Sequence, residues 1–131
     1  MAVMRNVIAV IDDNLSVLSA VGRLLSALGY DPQLYASAKE FLDVALVSEA
    51  RCVILDVQIG NDSGIDLATH LTKQGFTIPI IFMSGNPHEA MKNAAADIGG
   101  IAFLDKPFTA ERLVEALAKI PIAASGEDRG K

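Results

Sequence analysis

Short apolar runs alternate along this chain with longer stretches in which apolar residues return every three or four positions. The runs are Val7-Ile8-Ala9-Val10-Ile11, Cys52-Val53-Ile54-Leu55, residues 78–83 and residues 101–104. Continuous apolar runs of this length, bounded by turn residues, predict strands buried on both faces. A fifth run, 30–35, contains Pro32, which places it at or near a sheet edge. The intervening stretches predict helices. Over 15–28, Leu18, Val21, Leu25 and Leu28 step along one face, and Gly29 ends the helix. Ser37-Ala38-Lys39-Glu40 is a capping box opening a helix to about residue 47. Ser63-Gly64-Ile65-Asp66 opens a third helix, with Ile65, Ala68 and Leu71 on its inner face, and Gly75 closes it. Asn86 suits the cap of a fourth helix, with Pro87 first inside it and Glu89 three residues after the cap. Gly99-Gly100 then turns the chain. Thr109 caps a fifth helix, whose Leu113, Val114 and Leu117 are expected to face inward, and Pro121 stops it.

Five strand–helix units in strict alternation define an α/β domain. The crossover rule makes it a parallel sheet with helices on both faces. A chain of 131 residues fits one such domain, and 51% hydrophobic against 21% charged residues is a globular balance. The domain is expected over 1–121, with the small, polar stretch 122–131 as a flexible tail or linker stub. The formal net charge of -5 argues against a general nucleic-acid-binding surface. A lone cysteine, Cys52, excludes an internal disulfide framework and reads as a small buried hydrophobe. No apolar run approaches the ~20 residues needed to span a bilayer. The amino-terminal apolar segment runs straight into Asp12-Asp13, which is not a signal-peptide layout. A soluble cytoplasmic protein without membrane contact is the expectation.

In a parallel sheet the carboxyl ends of all strands share one edge, where open α/β sheets place their chemistry. The residues just past those ends are Asp12 and Asp13, Asp56, Ser84 and Lys106. Each has a plainer reading: Asp12 or Asp13 as a helix cap, Ser84 as a turn residue, Lys106 as a surface lysine. Their convergence favours a site. Carboxylates about 4 Å apart repel by roughly 4 kcal/mol at an effective dielectric near 20, so either their pKa values rise or a cation lies among them. The donors are all oxygens, which selects Mg²⁺ or Mn²⁺ over zinc. Lys106 and Ser84 are suited to phosphoryl oxygens, and Asp56 to a carboxylate nucleophile for in-line phosphoryl transfer.

These residues carry a resemblance. Val10-Ile11-Asp12-Asp13-Asn14, Val53-Ile54-Leu55-Asp56-Val57, Phe82-Met83-Ser84-Gly85 and Phe103-Leu104-Asp105-Lys106-Pro107-Phe108 occur in order and on the right elements. Over residues 6–120 the chain resembles the receiver domain of bacterial two-component response regulators. Around 82–108 it looks most like receivers of the nitrogen-fixation regulators. The resemblance implies a flavodoxin-like (βα)5 sheet of order 2-1-3-4-5. It implies that Asp56 takes a phosphoryl group from a histidine kinase or a histidine phosphotransfer protein, a signalling step rather than classical enzymatic turnover. Asp13, Asp56 and the Gln58 backbone carbonyl would bind Mg²⁺, with Asp12 acting mainly through water. Lys106 would contact the phosphoryl group, and the Lys106-Pro107 bond is often cis in such proteins. Ser84 would be the switch hydroxyl and Phe103 the switch aromatic. The switched surface, built from the fourth helix, fifth strand and fifth helix, would bind a downstream protein or a second copy.

One departure stands out. Ile59-Gly60 occupies the place where the family usually has Met-Pro. Loss of the proline predicts a more flexible loop beside the metal site. It motivates the alternative of a receiver-like interaction module that needs no phosphorylation. A freestanding Mg²⁺-dependent phosphatase is disfavoured, because no second acid/base carboxylate follows closely after Asp56. His70 and His88 are expected on helix surfaces.

Overall fold

The computed structural model describes residues 6–121. The tail expected at 122–131 and the first five residues of the amino-terminal segment lie outside them. The elements are β1 (Val7–Ile11), α1 (Leu15–Ala27), β2 (Asp31–Tyr35), α2 (Ala38–Leu42), β3 (Cys52–Asp56), the two short strands β4 (Gln58–Ile59) and β5 (Asp62–Ser63), α3 (Gly64–Lys73), β6 (Ile80–Ser84), α4 (Glu89–Asp97), β7 (Ala102–Asp105) and α5 (Ala110–Leu117). The main sheet has the order β2-β1-β3-β6-β7, every pair parallel. With the β4–β5 hairpin counted apart, this is the expected 2-1-3-4-5 order. Pro32 lies on the edge strand β2, where its missing N–H removes no central ladder bond.

Successive strand residues point to opposite faces, and the core divides accordingly. Val7, Ala9 and Ile11 of β1, Val53 and Leu55 of β3, and Phe82 of β6 pack with Phe41, Leu67, Ala68, Leu71 and Ala95, under α2, α3 and α4. Ile8, Val10, Cys52, Ile54, Ile81 and Met83 pack on the other face with Leu18, Val21, Leu25, Leu113, Ala116 and Leu117 of α1 and α5. Phe41 is fully buried and meets Tyr35 and Phe76 edge-on, with centroids 5.4 and 6.0 Å away. Such rings bury large apolar area and gain further from edge-to-face geometry.

Several elements differ from the sequence reading. The second helix stops at Leu42, and a separate 3₁₀ turn (Ala45–Val47) replaces its expected last part. There Val44 N–H bonds Phe41 O, tightening the ladder, and a β-branched valine closes the turn. The fourth strand of the main sheet begins at Ile80 rather than at 78, because Pro79 has no N–H to give; its carbonyl accepts from Val53 N–H. The next strand is shifted by one residue to include Asp105. In α5, Val114 is 46% exposed, and Ala116 takes the inward place expected for it. Leu28, expected on the inner face of α1, is the C-cap and is exposed.

The fourth helix is capped by His88, not Asn86. Asn86 N–H donates to Ser84 Oγ at 3.1 Å, which folds residues 84–86 into a turn. That turn leaves Pro87 outside the helix, and His88 Nδ1 accepts from Met91 N–H at 3.3 Å.

Candidate functional site

Strand register decides which chain ends meet. Ile11 pairs with Leu55, so Asp12 and Asp56 leave adjacent strands side by side. Asp56 pairs with Met83, and Ser84 pairs with Asp105. The site therefore runs diagonally across the carboxyl edge, from β1 through β3 and β6 to the residue after β7. By alternation, Asp12 continues the line of Ile8 and Val10, and Asp56 that of Cys52 and Ile54. Lys106 continues the line of Leu104. All three lines belong to the α1/α5 face. Ser84 continues the line of Ile80 and Phe82, on the opposite face.

The ionic centre follows from that shared side. Asp12 and Asp56 are 0% and 4% exposed. Lys106 Nζ lies 2.9 Å from Asp12 Oδ2 and 2.8 Å from Asp56 Oδ2. The remaining oxygens are bonded to backbone amides. Asp12 Oδ1 accepts from Asn14 N–H at 2.9 Å, and Asp56 Oδ1 from Gln58 N–H at 3.0 Å. Asp13 is exposed, and its Oδ2 accepts from Gly60 N–H at 3.0 Å. Asn14 caps α1 through Ser16 and Val17 N–H, so neither aspartate is spent as its cap.

Burial raises the Asp56 pKa above the ordinary carboxylate value. The Lys106 ammonium and Gln58 N–H oppose that rise, while the neighbouring Asp12 charge adds to it. For Lys106, burial alone would lower the pKa, but Asp56 and Asp12 together outweigh it and hold the ammonium above its usual value. On the strand leading to Asp56, burial pushes the Cys52 thiol up to about 12, leaving it protonated and unreactive, as expected of a packed hydrophobe.

Asp12, Asp13 and Asp56 each bring a carboxylate oxygen within 4.8 Å of the others. The chemistry of this set fits a hard divalent cation. Every donor is oxygen, and three carboxylates with one ammonium leave a net charge of -2 when all are ionised.

The remaining expected residues lie around this centre. Ser84 is 5% exposed, and its hydroxyl already accepts from Asn86 N–H, leaving its own proton to donate. Phe103 lies on β7. It pairs with Phe82 in the sheet, is half-buried, and carries Lys92 Nζ 5.7 Å from its ring centroid. Lys92 also pairs with Asp105 at 3.5 Å. The Lys106-Pro107 bond is cis, as the resemblance implied. Gln58 leads into the β4–β5 hairpin, and its side-chain amide bonds Gly60 O.

Sequence reading missed two contributors. The Gly60 amide holds Asp13, and a backbone donor is invisible in a one-letter code. Gly64 matters through its size. Its N–H bonds Val57 O at 2.6 Å, and a Cβ there would overlap the Asp56 carbonyl oxygen. Only a residue without a side chain lets α3 start against the backbone of the central strand.

Similarity to known proteins gives the family. The family model of the response regulator receiver domain matches residues 8–118. The chain is 37% identical over 108 residues to the transcriptional regulatory protein TdiR of Thauera aromatica, covering 82% of this chain and 48% of that protein. It is 32% identical over 106 residues to the transcriptional regulatory protein FixJ of Bradyrhizobium diazoefficiens, covering 81% of this chain and 52% of that protein. Among solved structures, a response regulator from Burkholderia pseudomallei with a phosphorylated aspartic acid, calcium ion and citrate superposes with a TM-score of 0.77 at 28% identity. That match covers 92% of this chain and 69% of the other. The chain belongs to the response regulator receiver family. Phosphorylation-dependent signalling is the standard function of that family, and its receivers typically bind Mg²⁺. The chain spans about half the length of the curated relatives it matches. No helix among the described residues is long and apolar enough to cross a membrane.

Proposed function

We propose that Asp56 is the phosphoacceptor of a receiver domain spanning residues 1–121, taking its phosphoryl group from a histidine kinase or a histidine phosphotransfer protein. The observation that carries this reading is the Lys106 ammonium, held between two buried carboxylates with a third within reach. A buried carboxylate is a useful nucleophile only if it is ionised and cations neutralise the incoming phosphoryl oxygens. Lys106 serves both needs: its hydrogen bond favours the Asp56 anion, and its one remaining proton can follow a phosphoryl oxygen. Asp12, Asp13 and Asp56, with the Gln58 carbonyl, would hold Mg²⁺, which when bound supplies charge neutralisation at the transferring group. Gln58 N–H fixes Asp56 Oδ1 and Lys106 fixes Oδ2, so the carboxylate is oriented before a phosphoryl group arrives.

An open, largely apolar groove of about 410 Å³, lined by Val17, Val21, Leu24, Pro107 and Phe108, ends at Lys106. It offers a phosphodonor domain a way in beside the nucleophile. Leu15, at the start of the same helix as Val17, is 69% exposed.

Output would follow from Ser84 and Phe103. A phosphoryl oxygen on Asp56 gives the Ser84 proton an acceptor, drawing the 84–86 turn inward and vacating space for the Phe103 ring. Phe103 would then leave Lys92. The surface of α4, β7 and α5 is thereby remodelled for a downstream protein or a second copy of the domain. A cytoplasmic location is consistent with the receiver family.

Site assignment is testable by chemistry. Borohydride reduces acyl phosphates to alcohols. After treatment with acetyl phosphate and Mg²⁺, reduction and peptide mapping should find homoserine at position 56. Homoserine at 12 or 13 instead would overturn the assignment.

A further inference from the structure

The β4–β5 hairpin presents two alternate backbone amides to two acids, Asp56 at the end of β3 and Asp13 just past β1. Gln58 N–H donates to Asp56 at 3.0 Å, and Gly60 N–H donates to Asp13 at 3.0 Å across 47 residues of chain. Between them Ile59 is 2% exposed, so the hairpin is anchored in the core rather than hanging from the site. Gln58 Nε2 closes the turn on Gly60 O at 3.1 Å. Gly60 has φ +60, the left-handed region that proline cannot enter.

We propose that the Gly60 amide is a positioning group for Asp13, fixing its carboxylate toward Asp12 and Asp56 before a divalent cation arrives. This rests on the metal reading above, and adds to it a residue of the loop where proline is usual in the family. Proline at position 60 could neither donate this bond nor adopt this φ. The chain therefore uses a backbone donor in a closed hairpin to order its exposed metal ligand. A charge-assisted bond to a carboxylate is stronger than a neutral one, so its loss is felt in metal affinity.

The test compares Gly60→Pro, which deletes the N–H, with Gly60→Asn, which keeps it and tolerates the left-handed region. A Cβ at position 60 meets nothing closer than Asp13 Oδ2 at 3.9 Å, so the strain left to the asparagine is that of the left-handed φ, which it bears better than most side chains. Calorimetric titration of the full chain with Mg²⁺ should show about tenfold weaker binding for Gly60→Pro. Gly60→Asn should stay within about twofold of the wild type. Wild-type binding with unchanged affinity in folded Gly60→Pro would overturn this proposal alone. Failure of the wild type to bind Mg²⁺ would overturn the metal reading and this proposal with it. A second measurement does not depend on the folding of the proline variant. In the metal-free wild type, the Gly60 amide should exchange with solvent about tenfold more slowly than in Asp13→Ala. Equal exchange in the two proteins would also overturn the proposal.

Discussion

Lys106 Nζ stands 2.8 Å from Asp56 Oδ2, although 50 residues and four strands separate them in the chain. The same nitrogen reaches Asp12 at 2.9 Å, so one ammonium offsets the charge of two carboxylates buried at the sheet edge. Removing it strands both. Lys106→Met is expected to destabilise the metal-free protein by about 3 kcal/mol at neutral pH, the usual cost of breaking a buried pair from one side. Urea unfolding checks this. The loss should shrink at acid pH, where Asp56 is protonated.

Asp56 gives a pH dependence of opposite sense to most salt-bridged acids. Its folded-state pKa lies above the ordinary value of 3.8, chiefly through burial. Its contribution to stability is therefore fully present below that value and is lost as pH rises through the folded pKa. In metal-free buffer, Asp56→Asn should melt higher than the wild type at pH 7. The difference should narrow as pH falls below the folded pKa. Mg²⁺ should stabilise the wild type by about 2.7 kcal/mol at one hundred times its Kd, and Asp56→Asn far less. Thermal melts at two pH values, with and without Mg²⁺, check both signs.

Gly64 and Gly85 make a contrasting pair around the site. A Cβ at Gly64 would collide with the backbone of Asp56 and Val57, which cannot give way without moving the central strand. Gly64→Ala should cost about 3 kcal/mol or more. At Gly85 the nearest atom to a new Cβ is the flexible Lys106 Cε, 3.8 Å away. Gly85→Ala should stay within about 0.5 kcal/mol. Denaturant midpoints measure both.

His88 caps α4 through a ring nitrogen at 3.3 Å, where serine, aspartate or asparagine is the preferred residue type. His88→Ser should stabilise the domain by up to about 1 kcal/mol, read from the urea midpoint. Asn86→Ala should leave the α4 cap intact, because Asn86 uses its backbone rather than its side chain in the turn.

Much of this architecture was readable in the chain because its strands are uninterrupted apolar runs that end abruptly in charge. Val7–Ile11 and Cys52–Asp56 are buried along their whole length, so their ends could be placed to the residue. Once the sheet was parallel, Asp12, Asp56 and Lys106 had to share an edge. Harder to read was anything decided by competition between neighbours. Asn86 has the letters of a cap, but its N–H is taken by Ser84, and the helix starts two residues later. Val114 has an inward-facing letter, yet Ala116 occupies that place in α5. The Ile59-Gly60 loop suggested slack from its missing proline, whereas a closed hairpin stands there, bonded to Asp13 and anchored by Ile59.

The central claim is that Asp56 accepts a phosphoryl group. Incubation of the protein with acetyl phosphate and Mg²⁺, followed by intact mass measurement, tests it most directly. A single adduct of about 80 Da, the covalent phosphoryl increment, is expected in the wild type and not in Asp56→Asn. No adduct in the wild type, or one that persists in Asp56→Asn, would contradict the account.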